Sequence, residues 1–201
     1  MLKKELKSIT GGLSKPSKMP CSSWSTPASK CITGSMLRKK PGSICSDCYA
    51  CKGNYKRFPV IERALMKRWN ANFDDVWVDA MVELISKEKS GFFRWFDAGD
   101  IKSVYQFQAI IKVVKKTPGI RHWLPTKEYK IAMSQEHPDN LTVRYSAYFI
   151  DRPAPNFKHT STSHTEKAIG HECDAYKRKG KCGNCRSCWN KEISNISYKK
   201  H

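Results

Sequence analysis

The chain has 201 residues, of which 39% are apolar and 27% charged, a balance that fits a globular domain with its own core and excludes intrinsic disorder. Thirty-seven Lys and Arg against eighteen Asp and Glu leave a net charge of +19, so the expected partner is a polyanion, above all nucleic acid. No apolar run approaches the roughly 18 to 20 residues that cross a bilayer. The start, Met1-Leu2-Lys3-Lys4-Glu5-Leu6-Lys7, lacks the apolar stretch of a secretory signal, so the expected location is cytoplasmic and no membrane partner is expected.

Residues 1–43 are rich in Ser, Lys, Pro and Gly, and read as an irregular arm carrying Cys21 and Cys31. Pro59 then suits the first turn of a helix continued by Val60, Ile61, Ala64, Leu65, Arg68 and Trp69. A second helix is expected from about Asp74 to Lys87, with Val76, Trp77, Ala80, Met81, Leu84 and Ile85 on one face. Phe92 to Phe96 reads as a strand, followed by a helix opened by the capping pattern of Ser103 and Gln106 and ended before Pro118-Gly119. Ile120 to Leu124 is the next strand, Pro125-Thr126 should cap a helix running to about Glu136, and Leu141 to Tyr145 and Lys158 to Ser163 read as further strands.

Strand and helix alternate at intervals of about 25 residues, which implies right-handed parallel crossovers. The expected fold is therefore α/β, a curled parallel sheet or partial parallel (β/α) barrel spanning residues 44–166, with a small Cys-rich, metal-bound tail over residues 167–201. Ligands of such sheets sit at the carboxyl ends of the strands. Asp97, Gly99 and Asp100 follow the first of these strands, Thr126, Lys127 and Glu128 the second, Ser146 and Tyr148 the third, and these polar residues are expected to share one face. Asp97, Asp100, Lys127 and Glu128 are the candidate catalytic groups among them. His159 and His164 lack sequence partners for a nucleophilic triad.

Nine cysteines, most of them in two triplets, point to metal binding and not to disulfides in a reducing compartment. Cys45-Ser46-Asp47-Cys48-Tyr49-Ala50-Cys51 repeats as Cys182-Gly183-Asn184-Cys185-Arg186-Ser187-Cys188. Thiolates three residues apart on a loop wrap a cubane iron-sulfur cluster more naturally than a tetrahedral zinc site. Cys173, Cys182, Cys185 and Cys188 supply four ligands and would close a site, as a 4Fe-4S cluster or, alternatively, as zinc. Cys21, Cys31, Cys45, Cys48 and Cys51 give five candidates for a second centre; four would close it and three would leave one iron open.

Lys18-Met19-Pro20, Cys31-Ile32-Thr33-Gly34-Ser35, the run from Pro41 to Gly53, Arg94 to Asp100, Trp123 to Tyr129 and Cys182 to Trp189 together resemble a bacteriophage family of the gene product 88 type. That likeness covers most of the chain and implies phage origin and a host cytoplasm, but no activity. A broader resemblance is to radical S-adenosylmethionine enzymes, whose 4Fe-4S cluster is held by three cysteines ahead of a partial barrel. It implies an open cluster on Cys31, Cys45 and Cys48, S-adenosylmethionine on the open iron, Tyr49 beside it, and Asp97, Gly99 and Ser146 among the cofactor contacts. The spacing of these cysteines is CX13CX2C where those enzymes use CX3CX2C. Expected partners are a nucleic acid or nucleotide substrate and a host protein or reductase; the rival expectation is a non-catalytic metal-stapled module that binds host nucleic acid or a host protein.

If phosphates are the partner, binding to duplex DNA should fall by at least about tenfold between low and moderate salt in a filter-binding or anisotropy titration. Affinity indifferent to salt would tell against a polyanion partner.

Overall fold

The computed structural model describes residues 1–52 and 54–200, and of residues 54 and 56 the backbone alone; Gly53, which closes the first cysteine motif, lies outside the described residues. Seven strands form one open sheet in the order β1-β2-β3-β4-β5-β7-β6, and every neighbouring pair is parallel. They are β1 Ser23–Trp24, β2 Phe92–Trp95, β3 Arg121–Thr126, β4 Leu141–Ser146, β5 Thr160–His164, β6 His171–Cys173 and β7 Asn195–Lys199. The helices are α1 Lys3–Thr10, α2 Ile32–Leu37, α3 Asn54–Arg57, α4 Pro59–Trp69, α5 Asp75–Ile85, α6 Val104–Lys116 and α7 Tyr129–Ala132. Among the described residues no helix is long and apolar enough to cross a membrane.

The helix starts follow from side-chain chemistry. Pro59 occupies the first turn of α4, where its missing N–H costs nothing. Asp74 caps α5 by accepting the Trp77 N–H at 3.0 Å. Ser103 caps α6 by accepting the Gln106 N–H at 3.1 Å, while the Gln106 amide oxygen reaches one residue further back than a capping box, to the Lys102 N–H at 2.8 Å. The helix expected from Thr126 to Glu136 is only the four-residue α7. Thr126 stays in β3, because its hydroxyl accepts the Glu128 N–H at 2.9 Å and donates to Asp100 at 2.6 Å, which holds the strand end closed.

Period-two alternation sorts the strands onto two layers. Phe93, Trp95, Leu124, Val143 and Tyr145 face α5 and α6 in the main core, with α1 outside α5. Trp24, Phe73, Trp77, Trp95 and Phe96 make the centre of that core, with ring centroids 5.0 to 6.4 Å apart. Residues 1–43, read from composition as irregular, contribute α1, the edge strand β1 and α2. Trp24 of β1 is completely buried and donates its indole N–H to the Thr10 carbonyl at 2.8 Å, so the segment is fastened by core packing that composition does not reveal.

The opposite face carries Phe92, Arg94, Trp123, Thr142 and Arg144, and the cysteine-rich segment lies across it. Cys21, Trp123 and Trp189 pack there with Met19, Phe92, Cys188 and Tyr198. Residues 167–200 are thus not a separate tail: they add β6 and β7 to the sheet and cover the second face. Arg144 fastens the cover. Its fully buried guanidinium donates to the carbonyls of Cys188 (3.0 Å), Ile193 (2.9 Å), Ser187 (3.1 Å), Asn190 (2.8 Å) and Thr160 (3.4 Å).

Replacing Arg144 by Met takes one donor from each of these carbonyls, and urea denaturation should show a loss of about 3 kcal/mol. A loss below about 1 kcal/mol would mean that the cover is held by its apolar contacts alone.

Candidate metal centres

The first centre is built at the carboxyl ends of β1, β2 and β3. The chain leaves β2 through Phe96 and Gly99, both at positive φ (56° and 79°), and a side chain at Gly99 would collide with the backbone and hydroxyl of Thr26 just past β1. This turn presents two carboxylates. Asp97 accepts the hydroxyls of Ser23 (2.9 Å), Ser25 and Tyr55 (2.7 Å), and its carbonyl accepts the Tyr49 hydroxyl. Burial opposes its charge, but Arg94 and those hydroxyls outweigh burial and hold the carboxyl below its usual range.

Asp100 is buried and accepts the Thr126 hydroxyl (2.6 Å), the Ile101 N–H (2.8 Å) and the Lys127 N–H (2.8 Å). Burial pushes it up to about 6 against these donors, with Glu128 adding to the rise. Glu128, also buried, receives the backbone N–H and the hydroxyl of Thr33 at 2.9 and 2.8 Å, which ties the first turn of α2 to the end of β3. Lys127 holds Asp100 through its backbone and accepts the Tyr148 hydroxyl at 3.3 Å; burial raises the Cys45 thiol, and the Lys127 ammonium opposes that rise.

Cys31 is the residue that opens α2, so the Glu128 tie positions its thiol. Cys45 comes alongside: the Cys31 and Cys45 sulfurs flank Gly34, 3.6 and 3.7 Å from where a side chain at that position would begin. Cys31, Cys48 and Cys51 pack with Tyr55 around Ala28, Ala50 and Ala98, in the turn formed by Tyr49–Cys51. Burial raises Cys31 above the ordinary thiol range, and Asp100, Cys48, Cys45 and Glu128 raise it further. The structure therefore brings Cys31, Cys45 and Cys48 together with Asp100, Lys127 and Glu128. Ser146 stands apart from the thiols, its hydroxyl accepting that of Ser161 at 3.0 Å and its carbonyl that of Tyr129.

The second centre lies on the covered face. Cys173 of β6, Cys182, Cys185 and Cys188 perturb one another electrostatically, and burial raises Cys173, Cys182 and Cys188, the last to about 12. The Cys188 thiol lies 3.3 Å from the Tyr198 hydroxyl, and the Cys185 thiol donates to Ser187 at 3.2 Å. Cys21, grouped by sequence with the first centre, belongs here instead: it is buried against Cys188, and burial, Glu88 and Cys182 raise it to about 12 against the pull of Arg94 and Arg186. Two guanidiniums adjoin this group. Arg94 lies 4.4 Å over the Trp123 ring with its buried Nε lacking a hydrogen-bond partner, and among the described residues neither Arg94 nor Arg144 has a carboxylate at ion-pair distance.

Among the described residues no three His, Cys, Asp or Glu side chains are already closed into metal-binding geometry. The chemistry of the donor set still fits an anionic metal-thiolate group at the second centre, because Arg94 and Arg144 both favour the thiolate form of Cys188 against its burial. His171 is exposed at the start of β6, away from a ligand role seen in any contact. His164 does find partners that sequence reasoning missed: Ser197 at 2.7 Å and Glu172 at 3.2 Å. Both His164 and Ser197 are fully buried, so this Ser-His-Glu chain straps β5, β7 and β6 together and reaches no substrate.

A family model described as Gene product 88 matches residues 2–191. No curated protein and no solved structure matches the chain.

The carboxyl form of Asp100 is favoured by the fold, so its contribution to stability is full below the usual carboxylate value of 3.8 and is lost as pH rises through about 6. A carbon-13 NMR titration should place its midpoint near pH 6, and Glu128→Gln should lower that midpoint by removing a neighbouring negative charge. A midpoint near 3.8 in the unmodified protein would mean that the hydrogen bonds, not burial, govern this carboxyl.

Proposed function

The chain belongs to the Gene product 88 family of bacteriophage-type proteins, and we propose that it is an iron-sulfur protein with one closed and one open centre on a shared parallel sheet. The observation that carries the reading is the group of thiols gathered beside two guanidiniums, Arg94 and Arg144, both of which favour the Cys188 thiolate against its burial. Cys173, Cys182, Cys185 and Cys188 would hold the closed 4Fe-4S cluster, and the two guanidiniums would offset its negative charge. Cys31, Cys45 and Cys48 would hold the second cluster, leaving one iron position for the amino and carboxylate groups of S-adenosylmethionine. Bound there, the pair would supply one-electron, radical-initiating chemistry.

The protein's own residues serve this site in definable ways. Lys127 favours the thiolate of Cys45, and Glu128 holds the Cys31 turn against the strand end. Asp100, raised to about 6 by burial, would titrate just below neutral pH and serve as a proton acceptor there. Asp97 fixes Tyr49 and Tyr55 around the thiols. The charge of +19 favours a nucleic acid or nucleotide as substrate, with a host reductase supplying electrons in the host cytoplasm.

A second reading is favoured by the saturation of the carboxylates. Asp97, Asp100 and Glu128 all spend their oxygens on protein donors, as they would in a non-catalytic module stapled by iron-sulfur or zinc that binds host nucleic acid or a host protein.

Electron paramagnetic resonance of the reduced, anaerobic protein separates the two. S-adenosylmethionine should change the signal of the open cluster, and an unchanged signal would remove the enzyme reading. Cys51→Ala should keep the full iron content while Cys45→Ala loses about half; equal loss from both would make the first centre closed.

A further inference from the structure

The helix layer stops at α7 while the sheet continues, and the amino end of β4 is flanked by the segments around His137, Phe157 and Lys191. A cavity of about 330 Å³ opens there over Leu141 and Val143. Its functional walls are His137, Tyr145, Phe157, Lys158, His159 and Lys191, and none of its lining residues is acidic. The position is distinct from the first thiol centre: it uses the start of β4, whereas Cys31 and Cys45 gather at the far ends of the strands.

Two features of the walls point to a ligand. The first is aromatic. Tyr145 and Phe157 stack with centroids 4.0 Å apart and planes at 23°, and His137 lies 6.5 Å from Tyr145, so flat rings already line one side. The second is charge. Lys158 is exposed at the mouth and Lys191 is half-buried, with its ammonium donating only a long 3.4 Å bond to the Pro138 carbonyl. Both imidazoles face main-chain carbonyls through Nε2, His159 to Lys191 at 2.8 Å and His137 to Ala132 at 2.8 Å, so each donates there and is held in one tautomer. The surroundings of His159 confirm the excess of positive charge: burial first, then Arg144, Lys158, Lys191 and His137, push it down to about 4. Asp139, exposed beside Lys191, is the acid that partly offsets this field.

We infer that this cavity binds a nucleoside monophosphate, with the base against Phe157 and Tyr145 and the phosphate between Lys158 and Lys191. A ring without charge would leave the lysines unanswered, and an inorganic anion would leave the aromatic wall unused. The volume lies at the small end of ligand sites and suits one nucleotide, not an oligonucleotide. The site is independent of the iron-sulfur reading and stands whether or not a metal binds elsewhere.

Calorimetric titration of the full chain with AMP, adenosine and inorganic phosphate tests the assignment. AMP should bind at least about tenfold more tightly than either fragment, and Phe157→Leu and Lys158→Gln should each weaken AMP by about tenfold. Lys158 is exposed, so its substitution leaves folding intact, which circular dichroism verifies. Absence of AMP binding, phosphate binding as tightly as AMP, or AMP affinity untouched by Lys158→Gln would each overturn the proposal.

Discussion

A buried guanidinium that never meets a carboxylate sets the terms for the rest of this structure. Arg144 stands on β4 at the middle of the sheet, and all of its recorded hydrogen bonds run to main-chain carbonyls, four of them in the segment from Ser187 to Ile193. Those carbonyls belong to a chain segment with little regular structure, in which the Ser187 carbonyl also accepts the Asn190 N–H at 3.1 Å. The arginine therefore turns an irregular, cysteine-rich stretch into the second layer of the fold. Thr142 adds a hydroxyl bond to the Trp189 carbonyl at 3.0 Å, and the Trp189 indole donates to the Phe93 carbonyl at 2.9 Å, so β2 and β4 both grip the same turn. The consequence is that Cys188, and with it Cys173, Cys182 and Cys185, is held over the face of a rigid sheet.

Arg94 connects that face to the strand ends. Burial opposes its charge, and Tyr49, Asp97, Tyr198 and Cys188 outweigh burial in keeping it protonated. Tyr49 and Asp97 belong to the first centre; Tyr198 and Cys188 belong to the second. One cation thus couples to Tyr49 and Asp97 beside the first thiol group and to Cys188 of the second. The two centres read as parts of one electrostatic unit more than as separate modules.

Much of this was legible in the chain. β2 to β4 and α4 to α6 follow from apolar periodicity, and Asp97, Asp100, Lys127 and Glu128, expected past the strand ends, lie at one end of the sheet. What was hidden depends on contacts between distant residues. β1 has two residues and β6 has no strong apolar residue, so neither carries a periodic signal, and both exist because a neighbouring strand offers hydrogen bonds. Arg144 reads as the polar side of an amphipathic strand until the carbonyls above it are known. The pairing of Glu128 with Thr33 spans 95 residues and has no local trace. Cys21 could not be assigned by spacing, since it reaches its group through the edge of the sheet.

The central claim is that the two thiol groups hold iron-sulfur clusters, and counting iron and acid-labile sulfide per chain in anaerobically isolated protein tests it most directly. Two cubane clusters give about eight of each. Stoichiometric zinc with little iron and no sulfide would contradict it, and would make the thiols structural staples on the sheet.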